Sequence, residues 1–103
     1  MFIARWQVEA RFGHKQNVVD LMHRWMDEVG RQAGTDEMDV RLLTGSIGAK
    51  EAIVEANHTV ESLAQLERFF EAIGKIDAHK QWGKELEPNV VSGSTFWNIY
   101  RVL

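Results

Sequence analysis

The hydrophobic and polar positions of the chain change their period several times between the first residue and the last. Residues 2 to 10 alternate between the two classes. One set is Phe2, Ala4, Trp6, Val8 and Ala10, and the other is Ile3, Arg5, Gln7 and Glu9. Because successive side chains of a strand point to opposite faces, this segment is predicted to be a first strand with one apolar and one half-polar face.

After Gly13 the period becomes helical, and we predict a first helix over residues 14 to 32. Its apolar stripe is Val18, Met22, Trp25, Met26 and Val29, and its opposite side carries Asp20, Arg24, Asp27 and Arg31. The charged residues form two i,i+4 pairs with the acid first, each stabilising the helix by about 0.2–0.5 kcal/mol. The charged side is therefore expected to face solvent.

Two further strands are predicted at residues 39 to 47 and 51 to 58, joined as a hairpin. If the loop is Gly48 to Lys50, one face carries Val40, Leu42, Thr44, Ala52, Val54 and Ala56, and the other carries Arg41, Leu43, Ile53, Glu55 and Asn57. A two-residue loop would shift the register by one residue and mix these sets. The sequence GSIG at residues 45 to 48 joins two strands, so we assign it to the turn and not to a phosphate-binding loop.

The second half of the chain predicts two helices and a closing strand. A second helix is capped by Thr59, carries Leu63, Leu66, Phe70 and Ile73 as its apolar stripe, and ends near Gly74. A shorter helix runs from an Asp77 cap to Leu86 and is stopped by Pro88. The last strand covers residues 94 to 102.

The predicted order is β-α-β-β-α-(short α)-β over a single domain, residues 1–103, which is the α+β, ferredoxin-like split βαβ pattern. The last strand has Phe96, Tyr100 and Val102 on one face and Trp97 and Ile99 on the other, so both faces are apolar. At ~25 cal/mol per Å² of apolar surface, leaving one face of the sheet in water forgoes several kcal/mol. We therefore expect a second copy of the chain to cover it, sheet against sheet, as a homodimer.

Composition and charge limit the kinds of partner and the compartment that we expect for this protein. The chain is 45% hydrophobic and 26% charged with one proline, which is typical of a globular protein. A net charge of −3 argues against nucleic acid as a partner. The absence of cysteine suits a reducing cytoplasm, and no segment has the pattern of a signal peptide or a membrane span.

Three segments and the C-terminus carry a resemblance to a known family. They are FIARWQVEARFGHKQNVVDLM, IVEANHTVESLAQLERF, DAHKQWGKELEPNV and the closing GSTFWNIYRVL. Along its whole length the chain resembles the dimeric α/β-barrel superfamily, nearest to its antibiotic-biosynthesis monooxygenase-like and NIPSNAP-like small proteins. The resemblance implies two ferredoxin-like protomers joined sheet to sheet, with a ligand cavity between sheet and helices or inside the barrel.

The resemblance implies several different functions, because members of the superfamily differ in activity. Members include oxygenases that act on aromatic compounds without metal or flavin, haem-degrading enzymes, isomerases and non-catalytic proteins, so the fold alone does not select one. The haem-degrading branch uses a histidine after the second long helix, which His79 matches. Its strand asparagine and helix tryptophan are replaced here by Arg5 or Trp6 and by Leu66, which argues against haem breakdown.

The candidate site residues follow from residue chemistry and from this resemblance. His79 is predicted to be a catalytic base, because imidazole titrates near neutral pH; the alternative is a half-buried histidine bonded to a carbonyl. The ligand-binding candidates are Arg5, Arg41, Glu55, Trp82, Asn98 and Tyr100. The charged members could instead form an ion pair across the subunit interface. His14, His23 and His58 have no metal-ligand spacing, so we predict no metal site and no cofactor.

Three hypotheses for function remain open at this point. The first is a small cofactor-independent enzyme, monooxygenase-like or isomerase-like, acting on an aromatic or carbonyl compound; it requires a cavity of a few hundred Å³ that reaches His79. The second is a non-catalytic, NIPSNAP-like binding or interaction module. The third, an RNA-binding domain, would need exposed aromatic residues on the middle strands, which instead offer Arg5, Gln7, Ile53 and Glu55.

Overall fold

A computed structural model describes all 103 residues and confirms the predicted α+β, ferredoxin-like order. The strands are β1 (Phe2–Glu9), β2 (Asp39–Thr44), β3 (Ile53–Val60) and β4 (Phe96–Arg101), and the helices are α1 (Lys15–Trp25), α2 (Leu63–Gly74) and α3 (Asp77–Leu86). The strands form one antiparallel sheet in the order β2-β3-β1-β4. No helix is both long and apolar enough to cross a membrane.

The register of the sheet fixes which side chains share a face. Trp6 lies opposite Ala56 on β3 and opposite Trp97 on β4. Their face, here called the helix face, is covered by the helices and includes the buried Ala4, Val8, Val54, Ala56, His58 and Val60. The opposite side, here called the open face, carries Ile3, Arg5, Gln7, Leu43, Ile53, Glu55, Asn57, Phe96, Asn98 and Tyr100. The predicted division of the hairpin residues between two faces agrees with this register.

The core beneath the helix face consists of two clusters of buried residues. One packs Val8, Val18, Met22, Trp82 and Leu86, among others, and the second packs Ala4, Val60, Leu66 and Phe69. Trp25 packs against both clusters. Its ring therefore lies at the boundary between them, where the core is interrupted by a cavity.

The first helix has the predicted extent but an unpredicted interior. α1 continues through a π-helical turn (Met26–Gly30) and a last α-helical turn (Arg31–Ala33), and Gly34 ends the helix with φ of 110°. The predicted Asp27–Arg31 pair is present at 3.5 Å. The predicted Asp20–Arg24 pair is absent, because Arg24 contacts Glu85 of α3 and lies 3.7 Å from Glu28 instead.

The hairpin loop is longer than predicted. β2 ends at Thr44 and β3 begins at Ile53, so the connection comprises residues 45 to 52 and not Gly48 to Lys50 alone. The Thr44 hydroxyl lies 3.1 Å from the carbonyl oxygen of Glu51 and 2.9 Å from that of Ile53, and its single hydrogen can be donated to either. Either contact links the end of β2 to the start of β3.

The start of α2 is the other correction. Thr59 belongs to β3, and the N-cap is Ser62, whose Oγ accepts from the Gln65 backbone N–H at 3.1 Å. The buried residues of this helix are Leu66 and Phe69, whereas Leu63 is 52% exposed. α3 has the predicted extent, with Asp77 as its first residue and not its cap, and Pro88 lies in the 3-10 turn that follows it.

Candidate functional site

A cavity of about 410 Å³ lies between the helix face of the sheet and the helices. Of its 15 lining residues 11 are hydrophobic, so its walls suit an apolar ligand. All four tryptophans of the chain contribute: Trp6, Trp25, Trp82 and Trp97. No aspartate, glutamate, lysine or arginine lines it.

The cavity arises because large aromatic rings meet small residues. Trp82 lies 6.3 Å from Trp6 and 6.2 Å from Trp25 between ring centroids, with the rings tilted to each other. Ala56 on the sheet and Gly83 on α3 line the same space with almost no side chain. Tilted indoles beside such small residues leave a partly open cavity between the sheet and the helices.

Trp82 is fixed in place by the backbone of another helix. Its Nε1 donates to the carbonyl oxygen of Leu21 in α1 at 2.6 Å. This bond ties α3 to α1 and satisfies the polar atom of a ring that is 7% exposed. The predicted ligand-binding residue Trp82 therefore forms a fixed wall of the cavity.

His79, the predicted catalytic residue, lies in the first turn of α3 and lines the cavity. Its Nδ1 accepts a hydrogen bond from Nε1 of Trp25 at 2.9 Å, and its ring stacks on Trp82 with centroids 6.0 Å apart. Burial lowers the pKa of His79, because the charged imidazolium loses hydration there. The ring is therefore held neutral near pH 7.

His58 is a second histidine in the cavity, and the sequence prediction missed it. It is 2% exposed, and its Nδ1 lies 3.1 Å from the carbonyl oxygen of Ala4 on the neighbouring strand. Burial lowers the pKa of His58, and the carbonyls of Ala4 and Ala56 offset only part of that shift. His58 lines the cavity from the sheet side, and His79 lines it from the helix side.

The open face carries a separate polar network centred on Glu55. This carboxylate is 5% exposed and accepts hydrogen bonds from Arg5 (3.1 and 2.7 Å), from Asn57 (3.2 Å) and from Gln7. Desolvation alone would raise the pKa of Glu55, but the hydrogen bonds from Arg5 and Gln7 and the charge of Arg5 lower it overall. The hydrogen bond to Glu55 in turn raises the pKa of Arg5.

The remaining predicted binding residues lie around this network or apart from it. Asn98 lies opposite Arg5 in the sheet, and the Arg5 guanidinium carbon is 5.6 Å from the centre of the Tyr100 ring. Arg41 pairs with Asp39 at 3.4 Å on the β2 edge strand and is exposed, so it does not join the network of Arg5 and Glu55.

The predicted site residues thus divide between the two sides of the sheet. His79 and Trp82 face the cavity, whereas Arg5, Arg41, Glu55, Asn98 and Tyr100 lie on the open face. One ligand cannot contact both sets within a protomer, because the sheet separates them. No group of three or more His, Asp or Glu side chains is placed to hold a metal ion.

Comparisons with known proteins show the fold of the chain. No protein-family model matches it, and no curated protein matches its sequence. Solved structures do match. A NIPSNAP family protein of Agrobacterium tumefaciens has a TM-score of 0.80 at 13% identity, covering 99% of this chain and 92% of that one. A NIPSNAP domain protein of Burkholderia xenovorans has a TM-score of 0.73 at 10% identity, covering 100% and 95%.

A third similar structure is a Nitrosomonas europaea protein named after the antibiotic biosynthesis monooxygenases. Its TM-score is 0.72 at 10% identity, covering 100% of this chain and 99% of that one. Identity this low shows a shared fold and no more. The chain therefore has the ferredoxin-like fold of the two groups of small proteins that its sequence resembles.

Proposed function

We propose that this protein binds a small, flat, mostly apolar organic molecule, aromatic or carbonyl-bearing, in the cavity between its sheet and helices. The observation that carries the proposal is the wall itself, with four indoles and two neutral imidazoles around about 410 Å³. A volume of this size is within the range of small-molecule sites. Because no charged side chain lines the cavity, the part of the ligand inside it is neutral.

The test is binding of naphthalene, a flat hydrocarbon probe, measured by tryptophan fluorescence and by calorimetry. We expect saturable binding to the wild type. Ala56→Leu places a larger side chain on the cavity floor and is expected to weaken binding at least tenfold, because it occupies the space of the probe. Ala64→Leu, the same change at an exposed position of α2, serves as the matched control and should leave affinity unchanged. Equal affinities of all three proteins, or no binding to any, would contradict the proposal.

Catalysis on the bound molecule is a second candidate, and the placement of His79 favours it. A neutral imidazole beside an apolar cavity is suited to cofactor-independent proton transfer, as in a monooxygenase-like or isomerase-like reaction. The alternative is a NIPSNAP-like module that binds without turnover. The distinguishing experiment identifies the molecule that copurifies with the protein by native mass spectrometry and compares its conversion by wild type and His79→Ala. Loss of conversion with retained binding supports an enzyme, whereas unchanged behaviour supports the module.

We also propose that the protein is a homodimer joined through its open faces. Leu43, Phe96 and Tyr100 on this face are 43%, 46% and 51% exposed, which leaves a broad apolar surface in water. The Arg5–Glu55 pair at its centre is satisfied within the protomer, so covering it leaves no lone charge.

Light scattering at micromolar concentration tests the dimer. The expected mass is twice the protomer mass of 11.8 kDa. Leu43→Lys places a charge on the proposed interface and should shift the mass toward the protomer, whereas Leu63→Lys, on the exposed side of α2, should not. A wild-type mass equal to that of one protomer would contradict the dimer without affecting the cavity.

A further inference from the structure

The two histidines of the cavity are each bound through Nδ1, but to opposite kinds of partner. His79 faces an indole N–H of Trp25, and His58 faces the carbonyl oxygen of Ala4. An indole N–H only donates hydrogen bonds, and a carbonyl oxygen only accepts them. These partners therefore determine where each neutral imidazole carries its proton.

For His79 the consequence is that the second ring nitrogen is a hydrogen-bond donor. Since Nδ1 uses its lone pair to accept from Trp25 at 2.9 Å, the proton of the neutral ring is on Nε2. A protonated ring would carry a hydrogen on Nδ1 that meets the indole N–H, so this contact also opposes protonation. The nitrogen left for a ligand is an N–H group.

For His58 the consequence is that Nε2 is a hydrogen-bond acceptor. Nδ1 must carry the proton to donate to Ala4 at 3.1 Å, so Nε2 of the neutral ring has a free lone pair. The ring is 2% exposed, and its removal from water disfavours a second proton. The nitrogen left for a ligand is a hydrogen-bond acceptor.

From this geometry we infer that the cavity selects a flat, neutral ligand that carries both a hydrogen-bond donor and an acceptor, such as a lactam or a hydroxy-carbonyl arene. The ligand donor binds Nε2 of His58, and the ligand acceptor binds the Nε2–H of His79. The inference rests on the proposed binding function and adds a chemical class to it. It also changes the expected role of His79, because the ring whose Nε2 can accept a hydrogen bond from the ligand is His58.

The tautomers can be read directly in the free protein. Long-range ¹⁵N–¹H correlation spectra of the imidazole rings at pH 7.5 are expected to show the Nδ1–H form for His58 and the Nε2–H form for His79. The opposite tautomer at either ring overturns the inference. This measurement does not depend on any ligand.

Binding is tested with three probes of similar shape. 2-Quinolone has a lactam N–H and a carbonyl, N-methyl-2-quinolone keeps the carbonyl alone, and naphthalene has neither. The variants are His58→Asn and His79→Asn, because an asparagine amide can keep the Nδ1 contact to Ala4 or Trp25 while removing Nε2. Thermal melts of both variants show whether they fold.

His58→Asn is expected to weaken the binding of 2-quinolone about three- to tenfold more than the binding of N-methyl-2-quinolone, because only 2-quinolone loses a neutral hydrogen bond. His79→Asn is expected to weaken the binding of both quinolones by a similar factor beyond its effect on naphthalene, since naphthalene reports only the packing lost with the imidazole ring. If His58→Asn does not fold, the wild type alone still tests the hydrogen bond from the ligand donor to His58. It should bind 2-quinolone more tightly than the N-methyl compound.

The outcomes separate this inference from the proposed function. If naphthalene binds but 2-quinolone gains nothing from either histidine, the inference is wrong and the cavity remains a binding site. If none of the three probes binds, the proposed function fails and the inference fails with it. If the two variants weaken the binding of the quinolones selectively, as described above, the result supports both the proposed function and the inference.

Discussion

Arg5 and Arg41 are the same residue type on the same face of the sheet, but their surroundings differ. Arg5 lies on a central strand and binds a carboxylate that is 5% exposed, whereas Arg41 lies on the edge strand and pairs with exposed Asp39 at 3.4 Å. A buried carboxylate that loses its cation keeps its desolvation cost, and an exposed one is simply rehydrated. Burial of the partner, more than the type of the arginine, decides its contribution to stability.

This difference predicts unequal effects of one substitution at the two positions. Arg5→Met keeps an apolar stem but removes the cation from Glu55, and we expect it to lower the free energy of unfolding by about 1–3 kcal/mol. Arg41→Met should change it by less than about 0.5 kcal/mol. Urea unfolding at one fixed protein concentration measures both, and equal losses would contradict the assignment of Arg5 to a buried network.

The pH dependence of stability is a second residue-scale prediction. The pKa values of His58 and His79 are lowered by burial, so the folded protein holds both rings neutral. Their stabilisation is complete above the ordinary histidine pKa of about 6.5 and is lost as the pH falls, because the unfolded chain then binds protons that the folded chain does not.

We therefore expect the urea midpoint to fall between pH 7.5 and pH 5.5, and His58→Asn to make that fall smaller. A midpoint independent of pH in this interval would show that the two rings titrate alike in the folded and unfolded chains.

The sequence predicted one of the two histidines that line the cavity. His79 and Trp82 belong to a helix whose period and end at Pro88 are clear in the sequence, and both line the cavity. His58 was missed because Thr59 was assigned to a helix cap, which ended the predicted strand at His58. In the structure β3 continues to Val60, and the alternation Val54, Ala56, His58 and Val60 continues along the buried helix face. That alternation was the available signal.

At the scale of elements, the cap of α2 can be tested by a matched pair. Ser62→Ala removes the Oγ that accepts from Gln65 N–H, and we expect it to lower the free energy of unfolding by about 1 kcal/mol. Thr59→Val removes the hydroxyl of the residue that the sequence favoured as the cap and keeps a β-branched side chain in the strand. Its effect should be below about 0.5 kcal/mol, and a larger loss at Thr59 than at Ser62 would contradict the observed start of α2.

The sequence could predict the elements whose hydrophobic residues repeat regularly because one of their faces is buried. The strand faces and the extent of the first helical segment agree with the structure because alternating and helical patterns are set by contact with one core. The π turn at Met26–Gly30 has no such signature. Neither has the connection at residues 45 to 52, where the Thr44 hydroxyl contacts the carbonyl oxygens of Glu51 and Ile53.

At the scale of the whole molecule, one sheet separates two surfaces with different chemistry. The helix face borders an uncharged aromatic cavity, and the open face carries an ion pair ringed by exposed apolar side chains. The sequence assigned Arg41 and Glu55 to one face of the hairpin but left open which face of the sheet borders a cavity, because face assignment alone does not show which face contains a void. The volume arises from how rings on three elements tilt against each other, which no local pattern encodes.

The most direct test of this account is the ¹⁵N–¹H spectrum of the protein during titration with naphthalene. Each tryptophan contributes one indole N–H signal, and all four indoles line the cavity. The account predicts that all four indole signals shift with one common dissociation constant, while the backbone amides of Arg5, Glu55 and Tyr100 on the open face shift little. Shifts confined to the open face, with the indole signals unmoved, would place the ligand on the other side of the sheet and contradict the account.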